Sequence, residues 1–84
     1  MTTGVQFRGT LTAHQTQSWY TFNWPATEYV IWTVVPDTIS TAGSEITWSV
    51  AVQRASATAV TYWITITNQT ASSVDIEARY AIVA

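Results

Sequence analysis

From residue 45 to residue 53 the chain reads EITWSVAVQ, with Ile46, Trp48, Val50 and Val52 at every second position. A period of two is the period of a pleated strand, whose side chains point to alternate faces; an amphipathic helix repeats every 3.6 residues instead. The alternation returns in VTYWITITN, where Tyr62, Ile64 and Ile66 oppose Thr61, Trp63, Thr65 and Thr67. It returns again over Val74–Val83, with Val74, Ile76, Ala78, Tyr80 and Ile82 on one face and Asp75, Glu77 and Arg79 on the other. No stretch carries a helical period.

Three earlier segments complete the set. Val5–Leu11 places Val5, Phe7, Gly9 and Leu11 inward. Ser18–Trp24 places Tyr20, Phe22 and Trp24 on the core face and turns Trp19, Thr21 and Asn23 outward. Tyr29–Val35 is apolar on both faces, as a central, doubly covered strand would be. Pro25, Pro36-Asp37, Gly43-Ser44, Ala55–Ala57 and Asn68–Ser73 supply the breaks. Six strands at about twelve-residue spacing predict an all-β fold, a small antiparallel β-sandwich or barrel, with residues 1–84 as a single domain. The register of the second strand is its weak point, because a slip of one residue would exchange Trp19 for Tyr20, Phe22 and Trp24.

Without cysteine the chain has no disulfide and no thiolate metal site, so a domain of 84 residues must rely on a dense core or on self-association. Its charges are Arg8, Arg54 and Arg79 against Glu28, Asp37, Glu45, Asp75 and Glu77, with no lysine; sixteen Thr and seven Ser stand where charged residues usually do. A net charge of −2 with scattered Arg argues against nucleic acid as a partner and removes the electrostatic attraction to anionic membranes. The start MTTGVQFRGT has neither the basic nor the apolar region of a signal peptide, so the expectation is a soluble protein, cytoplasmic or exported by another route.

The acid–base inventory is thin. His14, the sole histidine, lies in the polar stretch TAHQTQ with no nucleophile elbow or Gly-rich oxyanion loop beside it. Asp75 and Glu77 share a strand face with Arg79 and read as a charged outer surface rather than a hydrolytic pair. Asp37 is isolated, so no calcium loop forms. Asn68-Gln69-Thr70 matches the N-glycosylation pattern, which has meaning only in a secretory pathway. The expectation is a protein that is not an enzyme and uses no cofactor or metal.

The pairing of outward aromatics with hydroxyl and amide groups remains. Sugars have apolar C–H faces that stack on rings and hydroxyl rims that need fixed donors and acceptors, and ligand sites combine apolar walls with a few placed polar groups. Trp19 and Trp63 as stacking surfaces, with Gln17, Asn23 and Arg79 as polar contacts, form the expected glycan site. Because no lysine guards the strand edges, a homo-oligomer is expected as well, which would make weak sites multivalent. Two other readings compete: a structural or interaction module that self-assembles through exposed aromatics, and a toxin-like module that meets membranes through Trp and Tyr.

The fourteen residues GTLTAHQTQSWYTF, Gly9 to Phe22, resemble the start of bacterial pre-peptidase C-terminal-type sandwich domains, in which a GTL strand end, a short polar loop and an aromatic-alternating strand follow in that order. The resemblance implies a sandwich and an accessory, non-catalytic role, in some members the binding of polysaccharide. The acid that precedes the Tyr in that family is Trp19 here, so no ion site or functional residue is carried over.

Overall fold

The computed structural model describes residues Met1–Val83; Ala84, the last residue of the expected domain, lies outside them. Six strands account for most of the chain: β1 (Thr2–Leu11), β2 (Thr16–Pro25), β3 (Tyr29–Pro36), β4 (Ile46–Arg54), β5 (Ala59–Asn68) and β6 (Val74–Val83). They form two antiparallel three-stranded sheets, β1-β6-β3 (sheet A) and β2-β5-β4 (sheet B). The sheets face each other as an open sandwich rather than closing into a barrel. Only β4 and β5 form a hairpin; every other link crosses between the sheets.

The core lies between the two central strands. Ile64 and Ile66 of β5 meet Val74, Ile76 and Ala78 of β6, with Leu11, Trp32 and Val34 closing the flanks. Toward the other end the filling becomes aromatic: Trp24, Trp32, Tyr62 and Tyr80 meet edge to face at centroid distances of 5.3–6.5 Å, the arrangement that ring quadrupoles favour. Two glycines let strands come close. A Cβ on Gly9 would stand 3.0 Å from Trp19, and one on Gly4 would enter the Tyr80 ring.

The central strands are β5 and β6, each covered on its inner face alone; β3, expected to be central and doubly covered, is an edge of sheet A. Its outward Tyr29 and Ile31 are exposed. On β1 the expected inward Val5 points outward, because the register shifts between Val5 and Phe7 and the bulge reverses the parity on its N-terminal side.

Asn68 fastens the ends of the two sheets. It is fully buried, and its Nδ2 donates to the carbonyls of Leu11, Thr12 and Ser72 at 2.7–3.2 Å, while its Oδ1 accepts from the Thr70 amide and hydroxyl. A side-chain amide held in this way cannot accept a glycan, so the Asn68-Gln69-Thr70 pattern is structural. The exposed His14 sits in the β1–β2 loop at φ 57°, its backbone N–H bonded to the Thr70 carbonyl.

Candidate functional site

The second strand decides which aromatics are available. Trp19 points inward and stacks on Phe7 at 4.9 Å, against the core. This corrects the sequence expectation: the strand is set one residue over, so Tyr20 and Phe22 lie outside, 65% and 63% exposed. Trp24 nevertheless returns to the interior. The register shifts between Thr21 and Trp24, and Asn23 takes φ 62°, a left-handed conformation that Asn tolerates. The bulge brings buried Thr21 and Trp24 to the same side, where the indole N–H donates to Thr21 Oγ1 at 2.8 Å.

Sheet B therefore presents an outer face of one character. Tyr20 stands opposite Trp63, which stands opposite Ala51 on β4; Phe22 lies beside Tyr20 with rings 6.0 Å apart. Further along, Thr16 Oγ1 bonds Thr67 Oγ1 at 2.8 Å and Ser18 Oγ bonds Thr65 Oγ1 at 2.7 Å, with Thr47 and Ser49 continuing the rows on β4. No outward position of these three strands carries a charge. The face is a shallow platform of three rings bordered by paired hydroxyls.

The outer face of sheet A is its opposite. Glu77, nearly covered, receives Arg8 Nη2 at 2.6 Å on Oε1 and Arg79 Nε at 2.7 Å on Oε2. The hydrogen bond from Arg79, then that from Arg8, holds the carboxyl below the usual glutamate range, against a smaller opposing effect of burial. Thr10 donates to Asp75 at 2.6 Å on the same face. Next to Arg79 a shallow hollow of about 410 Å³ is floored by Val5, Ile31, Thr33 and Ala81. The third arginine, Arg54, binds the Ser56 and Ala57 carbonyls in the β4–β5 hairpin.

The five expected site residues do not converge. Trp63 is on the platform, half-buried at the centre of sheet B. Trp19 is inside. Gln17 is exposed near the start of β2, opposite inward Ile66. Asn23 forms the bulge at the far end of the strand, and Arg79 is on the other sheet, paired with Glu77. Sequence reasoning missed Tyr20 and Phe22; the only local signal was Asn23, a residue able to bulge ahead of Trp24-Pro25. Among the described residues no three His, Asp or Glu side chains gather. Comparison with known proteins finds no matching family model, curated sequence or solved structure.

Proposed function

We propose that the protein is a small, non-enzymatic carbohydrate-binding module of lectin type, and that its binding surface is the outer face of sheet B. Tyr20, Phe22 and Trp63 stack on the apolar C–H faces of sugar rings. Ser18, Thr65 and Gln53 lie at the border to meet the hydroxyl rims. One observation carries this reading: Tyr20 stands directly opposite half-buried Trp63, with Phe22 alongside, on a face that has no charge and where Tyr20 and Phe22 are largely exposed. Exposed rings cost solvation unless a ligand covers them, and a flat, neutral, hydroxyl-bordered set of rings complements a sugar better than it does an ion.

A glycan array with labelled protein at a known oligomeric state tests it. Binding to a related set of glycans, lost in Tyr20→Ala and Trp63→Ala while circular dichroism stays unchanged, supports the module. An array without signal removes it. The weight then passes to a self-assembling interaction module, which is supported by the further exposed apolar side chains Ile31, Trp48 and Val52.

A further inference from the structure

The two long sides of the sandwich differ. Along one run β1 and β2, and both edges are broken: β1 by the bulge after Val5, β2 by the bulge at Phe22-Asn23 and by Pro25. Along the other run β3 and β4, paired to their sheets without a register shift. Strand β4 is nine residues long and contains no Pro, Gly or Lys; its single charge, Arg54, is at its end. Natural edges are protected by bulges, proline or inward charge; here both bulges lie on one side, and on the other β3 has only its terminal Pro36 while β4 has neither bulge nor proline. The β4 edge is also incompletely covered. Trp48 and Val52 share the inward face, opposite Ile66 and Tyr62 of β5, yet they are 38% and 62% exposed because no further strand lies beyond them.

We infer that β4 pairs antiparallel with β4 of a second copy about a two-fold axis through Val50, joining the two B sheets into one of six strands. An isologous contact requires a strand complementary to itself, and this register meets the requirement. Val50 opposes Val50, and all nine residues pair. Each exposed Trp48 lies against the exposed Val52 of the second copy, once on each side of the axis. Arg54 opposes Ile46, so no like charges meet. The strand forms ladder hydrogen bonds along its free edge while covering its own uncovered apolar residues. The β3 side of sheet A comes up in the same contact. Nine-residue β4 is about 30 Å long at about 3.3 Å per residue, so in a body of 43 × 23 × 16 Å this side offers at most about 30 × 23 Å, roughly 700 Å² per copy against the roughly 800 Å² per partner of a standard stable interface. The dimer stands independently of the glycan reading; if both hold, the two ring platforms lie on one continuous face.

Light scattering on the wild-type chain is expected to give a dimer, twice the 9.3 kDa chain mass. Val52→Asp, at a position exposed within one copy, is expected to return the mass to the monomer with unchanged circular dichroism, because it buries a carboxylate against Trp48. Ser49→Cys and Ala51→Cys fix the register, since 49 opposes 51 of the second copy and both are exposed in a chain without cysteine. Their mixture is expected to oxidise to a covalent dimer at least tenfold faster than either variant alone. A monomeric wild type overturns the inference, and so does an assembly of any size whose mass and cross-linking ignore these substitutions. Neither result bears on the glycan array, and an empty array leaves the dimer standing.

Discussion

The two outer faces of the sandwich use the same pleated scaffold in opposite ways. On sheet A the exposed positions hold charges that satisfy one another: Arg8 and Arg79 clasp Glu77, and Thr10 holds Asp75. On sheet B the outward positions hold hydroxyls bonded in pairs and three rings, Tyr20 and Phe22 exposed and Trp63 half-buried. The first face pairs its charges with one another and sets the exposed Val5, Tyr29 and Ile31 beside them. The second keeps its polar groups paired but leaves its apolar area open. A chain with eight charged side chains places four of them, Arg8, Asp75, Glu77 and Arg79, on one outer face and none on the other.

The largest effect is expected where the two sheets are fastened. Asn68→Ala strands three backbone carbonyls and the Thr70 amide, and it should lower unfolding stability by roughly 2–3 kcal/mol, read as a shift of the urea midpoint. A loss below half a kcal/mol would mean that the faces are held by the core alone. Next in size is the ring platform: Tyr20→Ala should weaken glycan binding about tenfold, on the order of 1.4 kcal/mol, with Tm unchanged. Arg8→Ala, on the other face, should leave binding as it was. Equal losses from both substitutions would erase the contrast.

Smaller again is the ion cluster, and its sign follows from linkage. The carboxyl of Glu77 has a lowered folded-state pKa, so its stabilisation is fully present above the ordinary glutamate value of about 4.3 and is lost as pH falls through the lowered one. Glu77→Gln should therefore melt below the wild type at neutral pH, with the gap closing in strong acid; a gap that persists at pH 2 would assign the loss to packing. The smallest effect belongs to the exposed hydroxyl pairs: Ser18→Ala should change stability by less than about 0.5 kcal/mol, and its mark should appear in glycan affinity instead.

Much of this architecture was legible in the sequence, because period-two alternation survives translation into strands almost unchanged. The last two strands, β5 and β6, show the expected inward sets, Tyr62, Ile64 and Ile66 and then Val74, Ile76 and Ala78. What failed was parity where a bulge intervenes. One inserted residue reverses every side chain beyond it, and the bulges after Val5 and Thr21 leave little trace in composition. For this reason the expected site kept Trp63 but took Trp19 for an outward ring and passed over Tyr20 and Phe22. Alternation reports which residues share a face, not whether another layer lies over it, so the apolar outward face of β3 looks the same in sequence as a covered one. Arg79 was drawn into the same site because a list of polar groups carries no sheet order.

The most direct test of the contrast between faces is a backbone amide NMR titration with the glycan that gives the strongest array signal. Shifts are expected only in Thr16–Phe22 of β2, Thr61–Thr67 of β5 and Ser49–Gln53 of β4. Shifts centred instead on Val5, Ile31, Thr33, Arg79 and Ala81 would move binding to the hollow on sheet A, and no shift at any glycan would contradict a carbohydrate surface on either face.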